Sequence, residues 1–235
     1  MFRFKQFSVA QDKCAMKVNT DGVLLGAWAV SRRIDSNPIR ALDIGTGTGV
    51  IAVMMAQNFC TAQIDAIDID AGAYRQAKEN FENSPWANRL SAVYAPLQDY
   101  KPTYQYDIVI SNPPYFVDDY KTGNTQKDLA KHSTALTYAD LVNGIKRLLS
   151  SSGSAFVVIP IFNVEVLEPL ANGAGLYVTA MAEVTAVQGK NPYLALMQLR
   201  WERSPFEKET ITIQHPSVEF TAQYKAITKD YYLKF

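Results

Sequence analysis

The chain has 235 residues, 48% of them apolar and 20% charged, with 23 basic and 23 acidic side chains, so it suits one large globular domain. It shows neither a signal-peptide h-region nor an apolar run long enough for a membrane span, and we expect a cytoplasmic protein. Two cysteines without CxxC spacing and two histidines in the whole chain give no zinc constellation, so we expect no metal.

In chain order, a mixed N-terminal segment precedes an alternation of strand-like and helix-like stretches. Strands are predicted over 40–44, 63–68, 90–94, 106–111 and 155–160, and helices over 50–57, 71–83 and 137–149. Such alternation predicts βαβ units, hence a mostly parallel sheet with helices on both faces. Segments 177–185 and 193–201 flank the turn "AVQGKNP" and are predicted to form an antiparallel pair that closes the sheet edge.

Three pieces lie outside this alternating core, and we expect them to belong to the same single domain, 1–235. They are an N-terminal segment, 1–35, a C-terminal extension, 202–235, and the polar stretch 117–135, which lacks periodicity and is predicted to be a mobile loop. The core itself is expected to span 40–201.

The first strand is followed by "ALDIGTGTGVIA", which places Asp43, Gly45, Gly47 and Gly49 between a strand and a helix. Glycines at such a turn let a ligand approach the backbone and the helix N-terminus. The match to G-x-G-x-x-G is poor, because the third glycine would fall at Val50. An acidic residue two positions before the first glycine does not suit a pyrophosphate, but it suits a ligand that carries an ammonium group.

The second strand ends in "DAIDID", where Asp68 lies 23 residues after Gly45. A carboxylate at this place can accept hydrogen bonds from both hydroxyls of a ribose. Asp70 is predicted to cap the next helix. A ribose partner, a loop compatible with a cation and the lack of a phosphate-binding G-K-[ST] motif together indicate S-adenosylmethionine.

The fourth strand ends in "SNPPYF", and two prolines make Asn112–Tyr115 a stiff extended turn. Carboxyl ends of parallel strands share one crevice, so this turn should face the glycine loop. If the Asn112 side chain and the Pro113 carbonyl accept the N–H groups of an adenine amine, they favour attack by that nitrogen. Each such bond is worth on the order of 1.5–3 kcal/mol. Pro114 stiffens the turn, and Tyr115 is predicted to stack on the base.

The chain resembles class I S-adenosylmethionine-dependent methyltransferases that carry an N-P-P-Y motif. More narrowly, it resembles the bacterial tRNA1(Val) (adenine(37)-N6)-methyltransferase family. The narrower resemblance rests on "KQFSVAQDKCAMKVNTDGVLLGAW", on the core from "LDIGTGTGVIA" to "SNPPYF", and on the closing "YKAITKDYYLKF". It implies a Rossmann-like, seven-stranded sheet with an antiparallel last strand, and methylation of N6 of the adenosine next to the anticodon of a valine tRNA.

The resemblance also implies residue roles. Asp43, Gly45, Gly47 and Asp68 match cofactor-binding positions, and "VNTDG", with Asn19 and Thr20, matches a segment that folds over the cofactor. The acidic residue that commonly contacts the cofactor adenine would fall near Pro96, so Asp99 or the backbone of Leu97 is expected to replace it.

The partner implied is a tRNA anticodon loop, whose bases splay out more cheaply than those of a duplex. Candidates for substrate contact are Phe116, Lys5, Lys13 and Arg32, followed by Lys17, Arg33, Lys225, Lys229 and Lys234. We expect a monomer that binds RNA with a shallow salt dependence. Alternatives are a methyltransferase of protein glutamine, of guanine N2 in ribosomal RNA or of DNA adenine, and a non-catalytic RNA-binding protein.

Overall fold

The computed structural model describes residues 1–32, 40–114 and 136–235. The described part contains ten strands and six helices. The strands are β1 (Phe2–Arg3), β2 (Ser8–Val9), β3 (Arg40–Ile44), β4 (Gln63–Asp68), β5 (Leu90–Tyr94), β6 (Tyr106–Ser111), β7 (Leu149–Pro160), β8 (Tyr177–Val187), β9 (Leu194–Arg200) and β10 (Glu207–Gln214). The helices are α1 (Thr20–Ser31), α2 (Val50–Asn58), α3 (Ala71–Glu82), α4 (Tyr138–Leu148), α5 (Val164–Ala174) and α6 (Ala222–Thr228).

Eight strands form one sheet in the order β10-β8-β9-β7-β6-β3-β4-β5. All neighbouring strands are parallel except β9, which runs antiparallel to both β7 and β8. This arrangement confirms the Rossmann-like class and the reversed strand. Two details of the prediction were wrong: the sheet has eight strands rather than seven, and the antiparallel pair does not close its edge.

The extra strand, β10, comes from the C-terminal extension and pairs in parallel with β8 along its whole length. Its sequence "TITIQ" alternates: Ile211 and Ile213 are buried, and Thr212 between them is partly exposed. This buried face adds the extension to the sheet and makes β10, not β8 or β9, the edge.

Two apolar cores cover the two faces of the sheet. One contains residues of α1, α2, α3 and α6, and the other contains residues of α4 and α5. Helix α1 was not predicted, because Gly22 to Ala29 are all buried and its sequence therefore lacks a polar face. Helix α5 was not predicted either, and it contains Pro169. In the part of the chain that is described, no helix combines the length and apolar character that a bilayer crossing needs.

The strands that carry the chemistry lie side by side. β3 pairs with β4 on one side and with β6 on the other, all in parallel, so their carboxyl ends meet at one edge. The glycine loop, Asp68 and the Pro-Pro turn each follow one of these three strands.

Candidate active site

The glycine loop, residues 45–49, joins β3 to α2 and is bonded to the end of β4. The amides of Gly45 and Thr46 donate to the Ile67 carbonyl at 2.9 and 3.1 Å. Gly45 and Gly47 have φ of 69° and 57°, and a Cβ on either would meet no atom within 4 Å. These two glycines therefore expose a left-handed backbone to open space, as a ligand-binding loop requires.

Gly49 has a different role. Its φ of 81° is also left-handed, but a Cβ there would lie 2.5 Å from Cε1 of Phe81. This residue caps α2 and lets α2 pack closely against α3. The three glycines look equivalent in the sequence. In the structure, Gly45 and Gly47 face open space, whereas Gly49 packs against Phe81.

Asp43 lies beneath the loop and is 1% exposed. Its Oδ2 accepts a hydrogen bond from the Thr46 hydroxyl at 2.6 Å, while its Oδ1 is buried without a hydrogen-bond partner. Burial raises the pKa of Asp43 from its ordinary value of 3.8 to about 7, and the nearby Asp68 charge adds to this rise. Asp43 itself lines neither of the two cavities at this edge of the sheet, so its charge reaches them only through the glycine loop above it.

Asp68 ends β4 and is partly exposed. Its Oδ2 accepts from the Gly47 amide at 2.9 Å and its Oδ1 from the Asp70 amide at 2.8 Å. Burial raises its pKa, and these backbone donors oppose the rise. Each oxygen keeps a lone pair for a further donor. Asp70 is the N-cap of α3 and accepts from the Ala73 amide at 2.7 Å, as predicted.

A cavity of about 260 Å³ opens beside Asp68 at this edge of the sheet. It is lined by Cys14, Ala15, Met16, Ile44, Gly45, Gly47, Ile67, Asp68, Ile69, Asp70, Ala73, Ala95, Pro96, Leu97, Gln98, Asn112, Pro114 and Leu136. A smaller cavity of about 30 Å³ continues it past the glycine loop towards Asn19 and Gly22. Asn112 lines both cavities, so it stands where they meet.

The Pro-Pro turn is anchored by the residue before it, Ser111, whose buried hydroxyl donates to the Ile44 carbonyl at 2.9 Å. Within the turn, Asn112 is partly exposed, Pro113 is buried and Pro114 is exposed. Gly22 of α1 lies against the Asn112 amide: a Cβ there would be 3.4 Å from Nδ2. The structure thus brings Asn112 and Pro114 to the cavity that Asp68 and the glycine loop line.

Four predictions concern residues that the structure does not describe. Tyr115, Phe116, Arg33 and the loop 117–135 lie outside the described residues.

Of the two residues assigned to the covering segment, Asn19 lines the smaller cavity and caps α1, with its Oδ1 accepting from Gly22 at 2.9 Å. Thr20 begins the helix and lines neither cavity.

Asp99 does not line the cavity. It is exposed, and its amide closes a turn by donating to the Pro96 carbonyl at 3.1 Å. The segment that does line the cavity is Pro96, Leu97 and Gln98. The turn directs the Asp99 side chain to solvent, so Asp99 does not reach the cavity, whereas Leu97 does.

Three of the basic residues predicted to contact substrate are bound within the protein. Lys5 Nζ donates to the carbonyls of Lys229 and Phe235 in the C-terminal extension. Lys13 pairs with Glu79 on α3. Arg32 pairs with Glu207 and Glu209 on β10 and lies 4.9 Å from the Trp28 ring centroid. Local sequence could not reveal the hydrogen-bonding and charged partners, because all of them are more than 60 positions away.

No pattern in the sequence indicates that Cys14, Ala15 and Met16 line the main cavity. They lie in residues 10–18, an irregular segment between β2 and α1 that we call the strap. Cys14 is part of the cavity wall, and its thiol is not in a disulfide.

Comparison with known proteins agrees with this geometry. The family model for the methyltransferase small domain matches residues 25–163. Two solved structures have the same fold. A predicted O-methyltransferase from Agrobacterium tumefaciens has a TM-score of 0.69 at 14% identity, over 90% of this chain and 96% of its own. A ribosomal protein L11 methylase from Lactobacillus delbrueckii subsp. bulgaricus has 0.58 at 14%, over 80% and 81%. The fold and the site therefore define a methyltransferase.

Full-length relatives narrow the assignment. A protein of Flavobacterium psychrophilum named tRNA1(Val) (adenine(37)-N6)-methyltransferase is 43% identical over 100% of both chains. A relative of the same name from Bacteroides fragilis is 39% identical over 99% of this chain and 98% of its own. The chain belongs to the tRNA1(Val) (adenine(37)-N6)-methyltransferase family.

Proposed function

We propose that this protein transfers a methyl group from S-adenosylmethionine to N6 of adenosine 37 in tRNA1(Val). The observation that carries the proposal is the position of Asn112. It lines both the cavity beside Asp68 and the smaller cavity beside the glycine loop. The family's printed name supplies the acceptor base and the tRNA.

The residues present fit this cofactor. Asp43 lines neither cavity, so its buried charge would act on an ammonium group from beneath the glycine loop, while the open backbone at Gly45 and Gly47 leaves room for a chain to pass. Asp68 can accept both ribose hydroxyls. When bound, S-adenosylmethionine supplies an electrophilic methyl group on a sulfonium, and no general base is needed to make it electrophilic.

The Pro-Pro turn can activate the acceptor. The adenine amine is a weak nucleophile because its lone pair is delocalised into the ring. Two acceptors, the Asn112 side-chain oxygen and the Pro113 carbonyl, would draw its N–H groups towards tetrahedral geometry and stabilise the cation that forms. The prolines hold that carbonyl in place before the reaction. Tyr115 would complete the site by stacking on the base.

We assign the cofactor adenine to the segment Pro96–Leu97–Gln98 rather than to Asp99. Leu97 is 4% exposed and packs against α4, where a Cβ on Gly144 would lie 2.4 Å from Cδ2 of Leu97. Backbone groups and the Gln98 side chain can then read the edge of the base, while Ile69 and Pro96 cover its faces.

The RNA surface is assigned to lysines that remain available. Lys17, Lys225, Lys229 and Lys234 are exposed, and across the described ranges none of them forms an ion pair. Neutralising Lys225 and Lys229 together should weaken tRNA binding and flatten its salt dependence. Lys208, which pairs with Glu183, provides the matched control.

We further propose that residues 1–235 act as one domain and as a cytoplasmic monomer. The pairing of β10 with β8 and the contacts of Lys5 with the C-terminal extension support the single domain. Sedimentation of the purified protein with and without tRNA tests the monomer, which a dimer in either sample would contradict.

The test of function has two parts. Purified protein with labelled S-adenosylmethionine should methylate a tRNA1(Val) transcript carrying adenosine 37, and should leave a transcript with inosine 37 unlabelled because inosine lacks the amine. Nucleoside analysis of valine tRNA from cells lacking the protein should show loss of N6-methyladenosine. Label in protein, ribosomal RNA or DNA instead of tRNA would shift the acceptor to glutamine, guanine N2 or DNA adenine.

A further inference from the structure

The strap covers both cavities. Cys14, Ala15 and Met16 line the larger one, and Met16, Lys17 and Val18 line the smaller one. The strap contains neither helix nor strand, so its position depends on the groups to which it is bonded. Most of these groups lie on a single helix, α3, which begins three residues after Asp68.

Asn80 of α3 is 4% exposed and binds the strap by its backbone. Its Oδ1 accepts from the Ala10 amide at 2.8 Å, and its Nδ2 donates to the Ala10 carbonyl at 2.9 Å. One side-chain amide thus satisfies both backbone groups of one residue, as a neighbouring strand would. This contact is independent of the side chain at position 10.

Two more positions on the same stripe of α3 hold the next part of the strap. Gln76 is fully buried, and its Oε1 accepts from the Lys13 amide at 2.9 Å. At Gly72, a Cβ would lie 2.4 Å from the Lys13 carbonyl oxygen, so only glycine allows this approach. Residues 72, 76 and 80 are four apart and share one helix face, which is the face that binds the strap.

Asn80 makes a third bond that the other two residues lack. Its Nδ2 also donates to the Thr48 carbonyl at 2.8 Å, inside the glycine loop. One buried amide therefore joins the strap, which covers the cavity, to the loop that forms its floor. The separation between strap and loop is fixed by this side chain.

We propose that Asn80 is a positioning residue for the methyl donor, acting by holding the strap at a set distance from the glycine loop. Gln76 supports it from the next turn of α3. Neither side chain lines the cavities, so each acts through the strap and the loop. This inference rests on the proposed function, since it takes the cavity to be the donor site.

The test is Asn80→Asp, which keeps the shape and the acceptor for the Ala10 amide. It replaces the two donated bonds with an oxygen facing the Ala10 and Thr48 carbonyls. The dissociation constant of S-adenosylhomocysteine, measured by calorimetry, should rise at least about tenfold, as expected for one or two lost hydrogen bonds. The KM for the donor should rise in parallel, while the KM for tRNA and kcat at saturating donor stay within about twofold.

The matched control is Asn83→Asp at the C-cap of the same helix, where Nδ2 donates only to the Glu79 carbonyl. It should leave donor affinity unchanged. A second variant, Gln76→Met, keeps the volume and removes only the bond to Lys13, because Nε2 has no partner to lose. It should fold and weaken donor binding by about three- to fivefold, less than Asn80→Asp does.

Wild-type donor affinity in both Asn80→Asp and Gln76→Met would overturn the inference. So would an equal loss in kcat, in both KM values and in the unfolding temperature, since that pattern indicates only a structural role. Failure of the wild-type protein to bind S-adenosylhomocysteine would be a different result, because it would contradict the proposed function itself.

Discussion

The glycine loop and the Pro-Pro turn end two neighbouring parallel strands, β3 and β6, and yet they present their chemistry in different ways. The loop uses left-handed backbone at Gly45 and Gly47 above the buried carboxylate of Asp43. The turn uses prolines to fix an extended backbone and presents a side-chain amide, Asn112, to the cavities. The loop is therefore suited to binding the methyl donor, and the turn is suited to holding the amine that reacts.

This contrast predicts that variants of the loop change donor affinity or stability, whereas variants of the turn change the rate. The largest effect is expected for Asn112→Ala. Removing one of two acceptors for the developing cation should lower kcat by about 10²- to 10³-fold. Because, within the described residues, Asn112 donates or accepts no hydrogen bond with the glycine loop, donor affinity measured by calorimetry should change by less than about twofold. A normal kcat, or a loss of donor binding as large as the loss of rate, would contradict the division of roles.

Asp43→Asn should have the next largest effect, and it should act on binding. A neutral amide cannot pair with an ammonium group, so we expect donor affinity to fall by about 10- to 100-fold. The unliganded protein should at the same time melt at a higher temperature at pH 8, because a buried carboxylate has been removed. Calorimetry and thermal unfolding on the same samples check both expectations, and a lower melting temperature would be evidence against the buried charge.

The pH dependence of the wild-type protein follows from the same group. The folded-state pKa of Asp43, about 7, lies above its ordinary value of 3.8, so the folded state binds the extra proton. Its contribution to stability is therefore greatest below about pH 4 and is lost as the pH rises to about 7. Donor affinity should change in the opposite direction, rising up to about pH 7 and then levelling, as the carboxylate forms. Asp43→Asn should abolish this trend between pH 6 and 8.

The glycines themselves provide a third test, through the pair Gly49→Ala and Gly47→Ala. The first adds a methyl group 2.5 Å from Phe81 in a left-handed backbone and should lower the free energy of unfolding by about 2–4 kcal/mol. The second meets open space and should cost only about 1 kcal/mol. Donor affinity should fall more for Gly47→Ala, since that position faces the cavity. Equal losses of stability in urea titrations would remove the distinction.

The smallest effect is expected for Pro113→Ala. The substitution frees the turn and should destabilise the protein by about 0.4–1 kcal/mol, mainly through the unfolded chain. It also loosens the carbonyl that accepts one N–H, so kcat should fall by about three- to tenfold while the KM for the donor holds. Single-turnover rates at saturating donor measure this directly. A rate loss as large as that of Asn112→Ala would mean that stiffness, not the amide, dominates.

Much of the cofactor half could be predicted from the sequence because its signals are local. The strands over 40–44, 63–68, 90–94 and 106–111 agree with the structure residue for residue, since each is an apolar run that ends at turn-forming residues. For the same reason Asp43 is the next-to-last residue of β3, Asp68 is the last of β4 and Asn112 is the first after β6, as the sequence indicates. Asp70 caps α3 as predicted.

The sequence did not predict features that depend on burial from all sides or on contacts between residues far apart in the chain. α1 lacks periodicity because α2, β7 and α6 pack around it, so burial on all sides removes the polar face that marks a helix. The strap has no pattern of its own, and its place over the cavity depends on α3. Asp99 was assigned by its sequence position, but a turn closed by the Pro96 carbonyl directs it outward.

The sequence by itself determined the class of fold, the order of the central strands and the two loops that meet at their carboxyl ends, because short apolar runs, glycines and prolines act within a few residues. Only the tertiary structure decided which polar side chains remain free. Lys5 bonds to a residue 224 positions away and Arg32 to one 175 positions away, and Asn80 joins segments 70 and 32 positions distant. Such partners are chosen by the packing of the whole chain, since a buried donor or acceptor must find whatever group folding brings to it.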